Sequence, residues 1–252
     1  MRRFNKTLMV FLILVLLLVG VLVAAFVTFT FARMFYANEN AVRLQPLGLS
    51  NYPFDPVPKT PGLKRVVFFG DSRAESWTPP ENVTGYEFIN RGIGGQTTAQ
   101  ILGRLPYHLA PLEPDVVLLQ LGVNDLRTVA MFPDSRGSLI TDALANIQAV
   151  IQQSTDLGAT VILTTIFPVS EPTIERRIFF WSDDIARATE EANAVLRGFA
   201  AENVLIYDTD TVLLDSAGRV RVDYMPDTLH LNAAGYDALN VGLAEMLNDL
   251  NE

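Results

Sequence analysis

From Leu8 to Ala32 the chain runs 25 residues without a charge, interrupted by nothing more polar than Gly20, Thr28 and Thr30. A helix of that length rises about 37 Å at ~1.5 Å per residue, enough to cross a hydrocarbon core of roughly 30 Å with some tilt. A cleaved signal peptide has a shorter apolar stretch, about 7–15 residues, ending in a small-x-small site. This run instead ends in Phe29-Thr30-Phe31-Ala32. The expectation is a retained transmembrane helix. Arg2, Arg3 and Lys6 precede it and Arg33 alone closes it. That flank favours a cytoplasmic N-terminus, a single-pass chain, and delivery of everything after Arg33 to the extracytoplasmic side.

Four of the 19 Lys and Arg lie before residue 34, leaving 15 against 28 Asp and Glu, a formal charge of −13 for the rest. Nucleic acid is an unsuitable partner for such a body, because binding it requires basic patches that neutralise phosphates. There is no cysteine, hence no disulfide, thiolate nucleophile or thiolate metal site. Oligomeric state cannot be read from the sequence.

Three segments follow from the pattern: residues 1–33 as cytoplasmic N-terminus and membrane anchor, 34–64 as a linker, and 65–252 as a globular domain. The linker carries Pro46, Pro53, Pro56, Pro58 and Pro61, which suits an extended stem that lifts the domain off a bilayer or wraps its surface. Beyond it, apolar β-rich runs at Arg65–Phe69, Tyr86–Asn90, Val116–Leu121, Thr160–Thr165 and Val204–Tyr207 alternate with helical patterns. The helices are expected at Thr97–Leu105, Ser138–Leu157, Asp183–Glu202 and Asn232–Leu250. Near-continuous apolar strands separated by helices predict an α/β fold, with a five-stranded parallel sheet covered on both faces. In such sheets ligands bind beyond the carboxyl ends of the strands.

Those strand ends read Gly70-Asp71-Ser72, then Asn90-Arg91-Gly92-Ile93-Gly94-Gly95, then Gly122-Val123-Asn124-Asp125; near the C-terminus stands Asp227-Thr228-Leu229-His230. Each is weak alone. Together, and in this order, they resemble the SGNH (GDSL-like) hydrolase family over about residues 65–240. Ile89 to Thr98 looks particularly like its acylhydrolase branch. The resemblance implies a three-layer α/β/α, flavodoxin-like domain and a serine esterase that needs no cofactor. It implies Ser72 as nucleophile, Gly95 and Asn124 as oxyanion donors beside the Ser72 amide, and His230 as base, oriented by Asp227. It permits short-chain esters, acetylated carbohydrates and lysophospholipids as substrates, so the partners expected are a small-molecule, lipid or acylated-glycan ester and, through the N-terminal helix, a membrane.

These residue types suit that chemistry. A serine hydroxyl attacks an ester only when a base takes its proton, and imidazole works near neutral pH. A carboxylate three residues before a histidine can fold back on the ring and fix its tautomer, although Asp227 and His230 also read as the approach to a helix cap before Asn232. Of the two histidines, His108 ends a helical pattern and reads as structural. Asp71 reads as a loop cap and Asp125 as an organiser of backbone amides. Arg73 stands where the family usually has leucine; the expectation is a surface pair with an acidic neighbour rather than contact with an anionic substrate group. The stretch Pro168–Asp184, with Arg176, Arg177, Phe179, Phe180 and Trp181, is either a substrate-side wall or a loop packed on the body.

Three rival readings exist. A tethered protein of this fold that binds or assembles without turnover keeps the same motifs. A dinucleotide site needs glycine where Thr97 stands. Metal hydrolysis lacks a ligand cluster in a chain with two distant histidines.

Overall fold

The computed structural model describes residues 6–52 and 57–251, without the side chains of Glu175 and Phe179, and divides into two units, Met1–Pro46 and Leu47–Glu252. In the first unit α1 runs from Lys6 to Leu44, long and apolar enough to cross a membrane. Thr30 donates its hydroxyl to the Phe26 carbonyl at 2.9 Å, so the polar group is satisfied inside its own helix. The flanking Arg2 and Arg3 lie outside the described residues.

The segment expected as linker is divided. Residues 34–44 continue α1, because the first proline comes only at Pro46 and nothing before it breaks a helix. Residues 47–52 lie on the second unit: the Leu47 carbonyl accepts from Gln96 Nε2 at 3.0 Å, and the Tyr52 hydroxyl donates to the Gly92 carbonyl. Pro53 and Pro56 lie outside the described residues, and the chain resumes at Val57 and leads into the sheet.

The second unit contains the five expected strands, β1 (Lys64–Gly70), β2 (Tyr86–Gly92), β3 (Val116–Gln120), β4 (Thr160–Thr164) and β5 (Val204–Tyr207), all parallel in the order β2-β1-β3-β4-β5. In chain order its helices are α2 (Ser72–Glu75), α3 (Thr98–His108), α4 (Val123–Leu126), α5 (Arg136–Asp156), α6 (Ile174–Phe179), α7 (Asp184–Leu196), α8 (Asp210–Leu213) and α9 (Ala233–Asp249). The two-residue period of a strand sorts the core into two layers. Val67, Phe69, Val117, Leu119, Val161 and Leu163 face one way, with Ile101 of α3, Ile147 of α5 and Ala188 of α7. Val66, Phe68, Val116, Leu118 and Ile162 face the other, with Trp77 and with Tyr236, Leu239 and Leu243 of α9. Because both faces are covered, the inner strands β1, β3 and β4 are almost continuously buried, which is why they were readable.

Two boundaries differ from expectation. Helix α3 passes through Pro106 to His108 instead of stopping at Leu105; proline costs one helical hydrogen bond, and Leu105, Leu109 and Leu112 are buried around it. Helix α7 ends at Leu196 and gives way to a 3-10 turn at Arg197–Phe199, short of Glu202.

The strand order reverses between β1 and β3, so a crevice opens at their carboxyl ends. There the backbone is packed to contact. Gly70 pairs in register with Gly92 on one side and Gln120 on the other. A Cβ on Gly92 would lie 2.1 Å from the Glu75 amide nitrogen, so α2 rests directly on the end of β2. Gly92→Ala is therefore expected to destabilise the domain by about 2–3 kcal/mol, since the obstacle is backbone. Gly137→Ala, in α5 with open space around it, is expected to be neutral or stabilising by up to ~1 kcal/mol. Urea melting of the two variants followed by tryptophan fluorescence checks the contrast.

Candidate active site

Ser72 is the first residue of α2, immediately after β1. Asp71 caps that turn: its Oδ1 accepts from the Arg73 amide at 2.9 Å, and its own amide donates to the Gln120 carbonyl at 3.1 Å. This fastens the nucleophile turn to β3. Burial pushes the Asp71 carboxyl up to about 6, against the pull of the neighbouring Arg73 cation.

The structure brings together the serine, histidine and aspartate singled out by the sequence. Ser72 Oγ lies 3.1 Å from His230 Nε2, and His230 Nδ1 lies 2.8 Å from Asp227 Oδ2. Asp227 does a second job with its other oxygen, since Oδ1 accepts from the amides of Leu229 at 2.7 Å and His230 at 2.9 Å, which folds the loop back on itself. Partial burial pushes the Asp227 carboxyl up, but the ring, the two amides and the imidazole's attraction outweigh it and hold the group at about 2. It stays a carboxylate across the working pH range.

Gly95 sits in a turn before α3 at φ 77°, a left-handed conformation that favours glycine, and a Cβ there would meet no atom within 4 Å. Its neighbour Gly94 lies against Ser72, where an added Cβ would be 3.7 Å from the serine Cβ. Asn124, on α4 just past β3, donates from Nδ2 to the Gln96 carbonyl at 3.0 Å, which ties it to this same turn. Asp125 behaves as expected: its carboxylate accepts from the Thr98 amide at 2.9 Å and hydroxyl at 2.8 Å.

Arg73 corrects the sequence reading. It is fully buried, not a surface cation, and no carboxylate pairs with it among the described residues. Its Nε donates to the Leu229 carbonyl at 2.8 Å, Nη1 to Phe167 at 2.8 Å and Nη2 to Pro168 at 3.4 Å. Burial pushes the guanidinium down to about 10, with Asp71 pulling the other way. The residue after the serine therefore grips the residue before the histidine. His108 is buried, as a structural residue should be, with Nε2 3.3 Å from the Leu49 carbonyl and its ring edge-on to Tyr52.

Sequence reasoning missed three supporting residues. Asn90 Nδ2 donates to the carbonyls of Ala74 at 2.7 Å and Glu75 at 3.2 Å, closing α2. Buried Arg104 donates from Nε to Gln96 Oε1 at 2.5 Å and from Nη2 to the Gly70 carbonyl at 2.9 Å. Gln96 links that arginine to Leu47. Their partners are mostly main-chain atoms of distant loops, for which a sequence carries no signal.

In the stretch 168–184, Arg176, Phe180 and Trp181 line a cavity of about 290 Å³ together with Arg127, Met131 and Leu229. Arg177 turns away to pair with Glu171. The Phe179 side chain lies outside the described residues.

Known proteins share this architecture. The chain is 26% identical over 198 residues to the human platelet-activating factor acetylhydrolase IB subunit alpha2, covering 74% of this chain and 77% of that protein. A protein from Streptococcus pneumonia named as a platelet activating factor superposes with a TM-score of 0.67 at 26% identity, over 86% of this chain and 99% of the other. A GDSL-like lipase from Bacteroides thetaiotaomicron superposes with a TM-score of 0.66 at 22% identity, over 81% and 98%. The family model for the GDSL-like Lipase/Acylhydrolase family matches residues 68–238, most of the chain and all the motifs above, and the chain belongs to that family.

Proposed function

We propose that the chain is a membrane-tethered serine esterase that cleaves a carboxylic ester through an acyl intermediate on Ser72. The observation that carries this reading is the unbroken path from Ser72 Oγ through the imidazole of His230 to the Asp227 carboxylate, at 3.1 and 2.8 Å. The apolar helix α1 supports the tether.

In the proposed reaction Ser72 Oγ attacks the ester carbonyl carbon while His230 Nε2 takes the hydroxyl proton. The carbonyl oxygen becomes an oxyanion. Donors for it are the amide of Ser72, free of an intrahelical partner at the first position of α2, the amide of Gly95, and the second N–H of Asn124 Nδ2. One such donor is typically worth about 2.7–4 kcal/mol of barrier. Collapse expels the alcohol, which takes the proton from His230. Water then gives a proton to His230, attacks the acyl carbon and releases the acid, and the proton returns to Ser72. The relative's name, an acetylhydrolase, supports a short acyl group, and the alcohol side takes a small molecule, a lipid or an acylated glycan.

A fluorophosphonate probe is expected to label the wild-type chain on Ser72 and to leave Ser72→Ala unlabelled, while turnover of 4-nitrophenyl acetate falls by about 10³-fold or more in that variant. A folded wild type that resists labelling at every pH tried would instead favour binding without turnover.

A base must be unprotonated to take the serine proton, so the rate is expected to rise with pH. Asp227, held at about 2, adds no limb above pH ~4. Asp71, pushed up to about 6, and Asp125, also raised by burial, are carboxyls beside the site whose own titration would imitate such a limb. The limb is therefore expected to persist in Asp71→Asn and to vanish with activity in His230→Ala, as read from kcat/KM profiles between pH 4 and 9.

Arg73→Leu leaves the carbonyls of Leu229 and Phe167 without their buried donor, a cost of about 1–3 kcal/mol for each such group. The expected outcome is a lower melting temperature together with kcat reduced roughly tenfold or more and KM little changed. A fall in stability with kcat intact would make Arg73 a structural residue only.

A further inference from the structure

The cavity beside the proposed catalytic groups is unlike the rest of the surface in its charge. The body around it is acidic, and most of its exposed arginines are matched to carboxylates: Arg136 to Asp184 and Glu191, Arg187 to Asp184, Arg197 to Asp208 and Asp210, Arg219 to Asp215. Arg127 and Arg176 are the exceptions within one pocket. Neither has a carboxylate partner among the described residues, and the one polar contact of the Arg127 guanidinium is a long 3.5 Å approach to Asn124 Oδ1. Two guanidinium groups lining one cavity without a counter-charge repel one another, an arrangement that an anion entering the cavity relieves.

The pocket's position ties it to the chemistry. Arg127 follows α4, which carries Asn124, and Leu229 precedes His230 in the chain, so the walls are the loop of a proposed oxyanion donor and the loop of the proposed base. The remaining wall is Met131, Phe180 and the half-buried Trp181. At about 290 Å³ it sits near the lower end of ligand pockets, room for a small group rather than a long acyl chain. Guanidinium forks match the geometry of carboxylate and phosphate oxygens, while flat apolar faces take a planar or short aliphatic spacer.

We infer that Arg127 and Arg176 form a subsite for an oxyanion carried by the substrate, so that the preferred esters bear a carboxylate or phosphate a few bonds from the scissile carbonyl. This rests on the esterase reading above and narrows it to anionic esters.

The test compares matched esters on the full chain in a non-ionic detergent. One pair is 4-acetoxybenzoate against 4-acetoxybenzamide, with the charge on the alcohol side; the other is the 4-nitrophenyl monoester of adipate against 4-nitrophenyl hexanoate, with the charge on the acyl side. 4-Acetoxyphenyl phosphate against phenyl acetate gives the phosphate arm, so the three arms separate carboxylate from phosphate and one side of the ester from the other. At least one anionic ester is expected to exceed its neutral partner about tenfold in kcat/KM. That ratio should fall tenfold or more in the Arg127→Ala/Arg176→Ala double variant and invert in Arg176→Glu, while Arg187→Ala keeps it. Absence of a preference in every arm, or one that survives the double variant, overturns the subsite. Binding is read apart from turnover by titrating benzoate and benzamide against tryptophan fluorescence, since Trp181 lines the pocket. A benzoate response lost in the double variant supports the subsite even if no ester is hydrolysed, the outcome in which the esterase reading alone fails; no response to benzoate in a chain that hydrolyses only neutral esters overturns the subsite alone.

Discussion

Ser72 and His230 are 158 positions apart in the chain and must stay within hydrogen-bond distance for a proton to pass between them. Much of the domain serves that requirement through one element, α9. Its cap, Asn232, accepts from the Gly235 amide at 3.0 Å and fixes the start of the helix two residues beyond His230. Further along, the Tyr236 hydroxyl donates to the Arg73 carbonyl at 2.9 Å, and Asn240 accepts from Trp77 Nε1 at 2.8 Å while donating to the Thr78 carbonyl at 2.9 Å. A single rigid helix thus holds His230, the proposed base, just before its beginning and the Ser72 turn along its side. Arg73 closes the ring from the opposite direction by gripping Leu229.

Arginine is an unusual choice for that last contact. A buried cation without a carboxylate partner is costly, and here the cost is offset by three carbonyls aimed at its guanidinium and by the Phe167 ring 5.3 Å from its centre. What the arrangement supplies is direction. A leucine in the same place packs against neighbours without regard to which carbonyl it meets, whereas five fixed N–H vectors are satisfied only when the loops bearing Phe167 and Leu229 stand in one relation. The carbonyls of Asp227 and Thr228 are held independently by the Ser170 hydroxyl and amide, at 3.1 and 3.0 Å. The histidine loop is thereby fastened from both the β1 and the β4 sides.

The inner strands were legible because they are buried on both faces and read as continuous apolar runs, as Val66–Phe69 and Val116–Leu119 do. Ser72, Gly95, Asn124, Asp227 and His230 were nameable through the resemblance that their four short motifs, taken together and in order, bear to a known family. Arg73 and Arg104 escaped, because burial of an arginine depends on carbonyls supplied by distant segments, and composition places such residues at the surface. The helix through Ala37–Leu44 and the one through Pro106 escaped for a different reason. The end of an apolar run reads as a stop although no helix-breaking residue follows it before Pro46, and at Pro106 packing overrides the local signal because apolar surface is buried on both sides of it. Arg127 was invisible as a pocket residue because its partners in the cavity come from a loop some fifty positions later.

Fastening and recognition are carried by different parts of the molecule. The proton path depends on β1, β3 and α9, whose contacts are mostly main-chain and would be disturbed by almost any change in side-chain volume. The pocket of Arg127, Arg176, Phe180 and Trp181 is built from a 3-10 turn and a short helix outside the sheet. Changes there alter what is held without moving the groups that react, since loops on a rigid scaffold tolerate substitution. Such a division explains how a family with one reacting constellation serves many esters. It also locates the individuality of this member in two guanidinium groups that line one pocket of an acidic body without a carboxylate partner among the described residues, so that an anion approaching the crevice is drawn toward the proposed reacting groups.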